Sequence, residues 1–276
     1  MLGRRWSYAL KYGALRPIGK PLYETLVSAE LAWVRFKDRT VRFSPTPLTD
    51  EKLTAIVKTF ERPETLRRLI DSIERFYPRM RIIVADDSRE PYEDARVDVI
   101  RLPFDSGVSA GRQAALDAVK TPYVLLLDDD FVFYGRTRLE TRLELLEKES
   151  RIDLLGGEVV NLPSFRAADY GDADLFPTER ASRLPQGTKI GSLIVYDKIP
   201  NFYIARTERI RLVGWDPRIK RLDHADFFTR AKGVLTSVLD PEMKILHAQT
   251  PYMRPYMDKR RDAAADWEYL MQKHYS

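Results

Sequence analysis

The 276-residue sequence contains no cysteine, only three histidines and no long apolar run. The absence of cysteine excludes disulfides and Cys-ligated zinc, and it is compatible with a reducing compartment. No stretch has the length and apolarity needed to cross a bilayer, and residues 1–20 lack the apolar core of a signal peptide. We therefore expect neither a secreted nor a membrane-spanning protein, and we expect it in the cytoplasm.

Glycine motifs that bind phosphate are also missing. Neither G-x-G-x-x-G nor G-x-x-x-x-G-K-[ST] follows the first predicted strand. This absence disfavours a dinucleotide-dependent dehydrogenase and a P-loop enzyme. A diphosphate bound by this chain would therefore need another positive partner, such as a metal ion.

Positive charge is concentrated at one end of the chain. Residues 1–48 hold nine Lys/Arg and three acidic residues, a net charge of +6, whereas the remaining 228 residues have a net charge of −1. Nucleic-acid binding would need a basic stripe with aromatic stacking positions through the body, and the sequence shows none. We therefore expect no nucleic-acid partner.

The basic arm contains apolar residues at helical spacing after Pro21, which is placed as a first-turn residue. These residues are Leu22, Tyr23, Leu26, Val27, Leu31 and Val34. The arm either lies on an anionic membrane surface as an amphipathic helix or packs on the domain as an ordinary helical extension. The first alternative would place the protein at the inner face of a membrane.

From residue 49 onward, strand and helix patterns alternate. Strands are predicted at 53–57, 81–85, 97–100, 123–127 and 152–160. Helices are predicted at 63–77, 109–120 and 137–148, the last of which opens with a Thr137–Glu140 capping box. This order predicts an α/β fold with a mostly parallel sheet flanked by helices, a nucleotide-binding architecture. We divide the chain into a helical extension (1–48), a catalytic domain (49–253) and a helical tail (254–276).

Polar residues follow three of these strands at the sheet edge where parallel strands bind ligands. Thr59 follows the first strand, Asp86 and Asp87 follow the second, and residues 128–130 form an Asp triplet after the fourth. The triplet is either a solvated acidic turn or a D-x-D motif in which Asp128 and Asp130 bind a divalent cation through oxygen. We favour the cation site, because turns usually include Gly, Asn or Ser.

Several segments carry a family resemblance. Residues 56–63 and 84–88 resemble the opening of an inverting glycosyltransferase of the GT-A fold. More closely, seven segments between residues 102 and 228 are similar to the β-1,4-N-acetylgalactosaminyltransferases that build gangliosides. They are residues 102–105, 109–112, 127–133, 153–157, 201–207, 214–218 and 224–228. The match runs in consistent order over roughly residues 53–250. Gln113 stands where the family usually has Asn.

The resemblance implies a UDP-sugar donor and a Mn²⁺ or Mg²⁺ ion. It implies that Asp86 or Asp87 bonds the uracil N3–H, with a helix cap or turn as the alternative role. It further implies that a set of residues contacts the nucleotide or the sugar. They are Thr59, Arg112, Asp128, Asn201, Phe202 and Gly157, together with Asp129 of the triplet. For Arg112 a surface ion pair, and for Gly157 close packing, are the alternatives.

The same resemblance implies the remaining catalytic groups. Asp226 would be the general base, with a helix cap or an ion-paired role as the alternative, and His224 would orient it or contact the acceptor. His247 would join Asp130 and Asp128 as a metal ligand, or serve as a hydrogen-bonded core histidine. The predicted reaction transfers a sugar, most simply N-acetylhexosamine, to a glycan or lipid-linked hydroxyl. A sugar nucleotidyltransferase and a noncatalytic sugar-nucleotide-binding relative are the alternatives. Residues 166–198, which lack regular periodicity, are predicted to form a loop over the acceptor.

Overall fold

The structure is a computed structural model, and it describes residues 16–167 and 175–275. Eleven strands in this part of the chain form one sheet. They are β1 (Leu53–Thr59), β2 (Arg81–Asp86), β3 (Asp98–Arg101), β4 (Tyr123–Asp128), β5 (Phe131–Val132), β6 (Leu154–Asn161), β7 (Arg166–Ala167), β8 (Lys189–Ile190), β9 (Leu193–Val195), β10 (Tyr203–Arg206) and β11 (Ser237–His247).

Helices flank this sheet. In chain order they are α1 (Arg16–Lys37), α2 (Pro47–Glu51), α3 (Pro63–Phe76), α4 (Val108–Ala118), α5 (Glu140–Lys148), α6 (Thr207–Arg211), α7 (Asp223–Ala231), α8 (Arg254–Arg261) and α9 (Ala264–Tyr275). None of them has the length and apolarity of a membrane-spanning segment within the described residues. The first fifteen residues and residues 168–174 of the predicted acceptor loop lie outside the described part.

The sheet has the order β3-β2-β1-β4-β10-β6-β11-β9-β8. Strands β3, β2, β1 and β4 are parallel to one another. Strand β10 lies between β4 and β6 and is antiparallel to both. Strand β11 is parallel to β6 and carries an irregularity between Asp240 and Lys244. The predicted α/β class with a mostly parallel sheet is therefore confirmed.

Both faces of the central strands are buried. Side chains alternate between the two faces along each strand, so each strand contributes to two apolar clusters. On β1, Ala55 and Val57 belong to one apolar cluster and Ile56 belongs to another on the opposite face. Helix α3 covers the first cluster with the stripe that its sequence predicts, residues 66, 69, 70, 73 and 76. Helices α4 and α7 cover the second.

Two local predictions are wrong. Pro21 lies inside α1 rather than in its first turn. The capping box at Thr137 does not form, because the Thr137 hydroxyl donates to the carbonyl oxygen of Lys244 at 2.7 Å and accepts from the backbone N–H of Tyr134. Helix α5 consequently begins at Glu140, three residues later than predicted. A long-range bond to β11 here replaces a local one.

Candidate active site

A cleft of about 440 Å³ opens at the carboxyl ends of β1 and β4. The end of β11 and helix α8 border it on the other side, through His247 and Tyr256. In the strand order β3-β2-β1-β4, successive strands are added to opposite sides of β1, so the order reverses between β1 and β4. Ligands of open α/β sheets bind at the carboxyl ends of the strands at such a switch point.

All three residues of the Asp triplet line the cleft, but they differ in exposure and in their partners. Asp129 is fully buried and accepts hydrogen bonds from Arg62 and from the Thr59 hydroxyl, the latter at 2.8 Å. Asp128 is the most exposed of the three, and Asp130 lies at the cleft beside His247. Thr59, predicted under a base, therefore fixes the triplet at the end of β1.

Asp130 and His247 form a close pair. Asp130 Oδ1 lies 3.2 Å from His247 Nε2, and Oδ2 accepts from Arg62 at 3.0 Å. Burial alone would raise the pKa of Asp130, but the charges of His247 and Arg62 outweigh it and hold this pKa below its usual value. Burial conversely lowers the pKa of His247, yet the carboxylate of Asp130 raises it above its usual value overall.

The other ring nitrogen of His247 is also engaged. Its Nδ1–H donates to Asn161 Oδ1 at 2.9 Å, which directs Nε2 towards Asp130. Metal-ligating histidines are usually oriented by such a second bond. The described residues contain no group of three or more His, Cys, Asp or Glu side chains arranged to hold an ion. This chain thus offers two donors to a metal, one carboxylate and one imidazole.

Arg112 connects the triplet to the start of α7. Its guanidinium is buried and donates to Asp128 Oδ1 at 2.5 Å and to Asp223 Oδ2 at 2.6 Å. Its Nε has no partner among the described residues. Arg112 therefore occupies an internal position rather than a surface ion pair, and it brings Asp223 to the cleft wall. Asp223 had no predicted role.

His224 and Asp226, the two residues of α7 that were predicted to act in catalysis, have different surroundings. His224 lines the cleft, and its Nε2–H donates to the carbonyl oxygen of Ile199 at 2.8 Å. Burial lowers the pKa of His224 to about 4, so its ring is neutral near pH 7. Asp226 does not line the cleft and its side chain is 1% exposed.

Asp226 is surrounded by basic side chains, two of which, Arg230 and Lys273, are cations. Arg230 Nε donates to Oδ2 at 2.8 Å, while Lys273 Nζ and His274 Nε2 contact Oδ1 at 2.7 and 2.9 Å. Lys273 and His274 belong to α9, which packs against α7. These contacts are those expected for the ion-paired alternative role of Asp226.

The acidic pair after β2 is likewise occupied within the protein. Asp86 accepts from the backbone N–H groups of Ser88 and Tyr92 and from Arg101. Asp87 accepts from Lys58 Nζ at 2.6 Å and from the N–H of Gly107. Both carboxylates are fully buried, and neither lines the cleft. The two carboxylates fix the loop that follows β2 and the segment that leads into α4.

The residues predicted to contact the sugar separate as well. Asn201 lines the cleft, but Phe202 is fully buried and packs edge-on against Phe131 with ring centroids 6.2 Å apart. A Cβ on Gly157 would overlap the carbonyl oxygen of Met243 and the ring of Phe202. Gly157 thus permits close packing at the irregularity in β11, which is its alternative role.

Cations outnumber carboxylates along the cleft wall. Seven Lys/Arg line it against four Asp; the cations are Lys58, Arg62, Arg112, Lys220, Arg221, Lys259 and Arg260. Arg260 on α8 is exposed, donates to the Tyr256 hydroxyl at 2.9 Å and has no carboxylate partner among the described residues. Sequence reasoning predicted a helical tail here but did not assign it to the cleft, although the basic run at 259–261 was a visible signal. The excess positive charge suits a polyanionic ligand.

Comparison with known proteins gives both a family and a fold. The chain is 40% identical over 194 residues to β-1,4 N-acetylgalactosaminyltransferase 1 of Mus musculus, covering 66% of this chain and 36% of that protein. It is 37% identical over 239 residues to β-1,4 N-acetylgalactosaminyltransferase 2 of Mus musculus, covering 80% and 45%. The chain therefore spans less than half the length of these curated relatives.

Solved structures of TarS from S. aureus share the fold. The crystal structure of TarS 1–349 superposes with a TM-score of 0.55 at 15% identity, covering 77% of this chain and 66% of that one. The same TarS fragment with UDP-GlcNAc gives a TM-score of 0.54 at 16% identity, covering 71% and 58%. The model of Glycosyl transferase family 2 matches residues 54–200, more than half of the chain. The chain belongs to glycosyl transferase family 2 and has the GT-A fold.

Proposed function

We propose that this enzyme transfers an N-acetylhexosamine from a UDP-sugar to a hydroxyl of a glycan or lipid-linked acceptor, with inversion at the anomeric carbon. One observation carries the proposal: the Asp130–His247 pair and the excess of cations lie in the same cleft at the ends of β1 and β4. The names of the relatives and the UDP-GlcNAc complex of TarS support the donor class.

The donor set of this cleft fits a divalent cation. Asp130 and His247 would hold Mn²⁺ or Mg²⁺, and Asp128, which lines the same cleft, would add a further negative charge beside the ion. Two protein ligands are few for a closed metal site, but such ions commonly bind through one or two carboxylates plus substrate phosphates and water. An ion in this position would neutralise negative charge on the leaving diphosphate.

The chain's own cations would hold the same diphosphate. Arg260 is the best placed of them, because it lines the cleft without a carboxylate partner among the described residues. Lys259, Lys220 and Arg221 are shared with Asp105 and would add less charge. We therefore assign α8 to the donor diphosphate.

The general base is reassigned from Asp226 to Asp223. Among the carboxylates that line the cleft, Asp223 is the one outside the triplet. Its Oδ2 is paired with Arg112, which leaves Oδ1 to accept a proton. The acceptor oxygen attacks the anomeric carbon, the bond to the diphosphate oxygen breaks, and the hydroxyl proton passes to Asp223. UDP leaves with the bonding electron pair.

The two alternative functions are a sugar nucleotidyltransferase and a noncatalytic sugar-nucleotide-binding relative. Membership of glycosyl transferase family 2 argues against a sugar nucleotidyltransferase. A noncatalytic relative would bind a UDP-sugar without consuming it. Measuring UDP release from a panel of UDP-sugars, with and without Mn²⁺, separates that case from an active transferase and identifies the donor sugar.

Binding calorimetry with UDP tests the metal assignment. Asp130→Ala should abolish the Mn²⁺-dependent part of UDP affinity, because it removes the charged ligand. Asp98→Ala is the matched control. Asp98 lies on β3, outside the cleft, and forms an exposed ion pair with Arg81 of β2. Unchanged, Mn²⁺-dependent UDP affinity in Asp130→Ala would show that the ion is bound elsewhere.

A further inference from the structure

Helix α1 has two apolar faces, and one of them attaches the helix to the domain. Val27 and Leu31 are buried against the ends of β6 and β11, in a cluster that includes Val160 and Leu246. Tyr23 packs partly against this cluster, and its hydroxyl donates to the carbonyl oxygen of Gln249, a residue that lines the cleft. This face accounts for the packing of α1.

The other face is apolar but exposed. Its large residues are 43–66% exposed; they are Ile18, Leu22, Leu26, Trp33 and Phe36. At about 100° per residue these positions fall within an arc of about 80°, on the side opposite Val27. A helix that served only as a packed extension would present polar residues here. A contiguous exposed apolar face instead indicates an interaction surface.

Cations border this face at its carboxyl end. Lys37 Nζ lies 5.3 Å from the ring centroid of Trp33, and the guanidinium of Arg39 lies 4.1 Å from that of Phe36. Both cations are exposed. Aromatic rings beside Lys and Arg are typical of segments at the boundary between headgroups and acyl chains. The excess of six positive charges in residues 1–48 adds a favourable field towards anionic lipid.

We propose that the exposed face of α1 docks this enzyme on an anionic lipid surface. Trp33, Phe36 and the aliphatic residues enter the interface, while Lys37 and Arg39 contact the headgroups. A second copy of the chain is a poorer occupant, because an isologous contact would bring the same cations together. The attachment of Tyr23 beside Gln249 keeps the cleft close to the docked surface. The inference does not depend on the proposed donor or base.

Vesicle co-sedimentation of the full chain tests the proposal. The protein should bind vesicles of equal parts phosphatidylglycerol and phosphatidylcholine more strongly than phosphatidylcholine alone. The binding should weaken as added salt shortens the electrostatic screening length, which is about 10 Å at 0.1 M. Trp33→Ala/Phe36→Ala should reduce partitioning by at least about tenfold, because two inserted rings are lost.

Trp267→Ala is the matched control, since Trp267 is 53% exposed on α9 and Trp33 is 52% exposed on α1. The control should bind as the unaltered protein does. The proposal is overturned if the unaltered protein does not bind these vesicles, or if the double variant binds them equally well. A concentration-dependent dimer that Trp33→Ala dissociates, seen by sedimentation velocity, would also overturn it by assigning the face to a second copy.

Discussion

Asp223 and Asp226 lie one helical turn apart in α7, yet their surroundings differ. Asp223 faces the cleft and shares Arg112 with Asp128. Asp226 is buried and contacts Arg230, Lys273 and His274. Substituting each by Asn removes a charge and preserves the side-chain shape. We expect Asp226→Asn to affect stability and Asp223→Asn to affect turnover.

The size of the stability effect follows from the contacts of Asp226. Removing one member of a buried ion pair typically costs about 3–5 kcal/mol, because the remaining charges lose their partner. Asn retains part of the hydrogen bonding, so the lower value of about 3 kcal/mol is the better guide. For a protein of this size, that loss corresponds to a decrease in thermal midpoint of roughly 6–12 °C.

The same contacts predict a pH dependence. Burial would raise the pKa of Asp226, but hydrogen bonds and charges from Lys273 and Arg230 lower it below its usual value overall. A lowered pKa stabilises the folded state above the unfolded pKa of about 3.9, and this contribution is lost as pH falls through the folded value. The difference in stability between the unaltered protein and Asp226→Asn should therefore be full near neutral pH and should shrink below about pH 4.

Differential scanning calorimetry and UDP release from a UDP-sugar measure the two roles separately. Below its own melting transition, Asp226→Asn should keep UDP release within a few-fold of the unaltered enzyme. Asp223→Asn should lose about 10²–10⁴-fold, the usual contribution of a general base, while its UDP affinity stays within a few-fold. If Asp226→Asn were as stable as the unaltered protein but inactive, Asp226 would be the base and our assignment of Asp223 would be refuted.

Two further substitutions test the cleft and the sheet beneath it. Arg260→Gln should weaken UDP binding by about tenfold, since a charge-assisted bond contributes roughly 1.5 kcal/mol. Arg261→Gln, on a neighbouring residue outside the cleft lining, should leave the affinity unchanged in the same calorimetric titration. Gly157→Ala should lower the stability measured by thermal unfolding by about 1–3 kcal/mol, because its Cβ would overlap the backbone oxygen of Met243. A midpoint equal to that of the unaltered protein would show that β11 can shift.

The sheet and its order of elements could be predicted because they depend on local periodicity. The buried strands of the parallel half and the stripe of α3 are visible as period-2, continuous apolar and period-3.6 patterns. The position of the cleft followed, since strand ends determine where Asp128 and Asp130 lie. The short strands β5, β7, β8, β9 and β10 were missed, because two to four residues carry no usable period. The eleven-residue strand β11 was missed as well, because Asp240, Pro241 and Glu242 interrupt its apolar pattern.

Long-range contacts explain why the surroundings of some site residues could not be predicted. Asp226 contacts Lys273 and His274, which follow it by almost fifty residues and reach it because α9 packs on α7. Arg260 enters the cleft because α8 folds back beside β11. Neither arrangement has a signature in local spacing. The resemblance to relatives was strongest between residues 53 and 250, so it gave little information about these two helices.

The division of labour within the Asp triplet has a simple geometric origin. Strand β4 ends at Asp128, and Asp129 and Asp130 lie in the turn that follows, where Asp128 contacts Arg112 and Asp130 contacts His247. The buried side of β4 faces Thr59 and Arg62, which neutralise Asp129 and fix the turn. Arg62 also reaches Asp130, so the structural carboxylate and the cleft carboxylate are positioned by one guanidinium. The middle residue of the triplet therefore fixes the turn, and under the proposed function the outer carboxylates would face the cation.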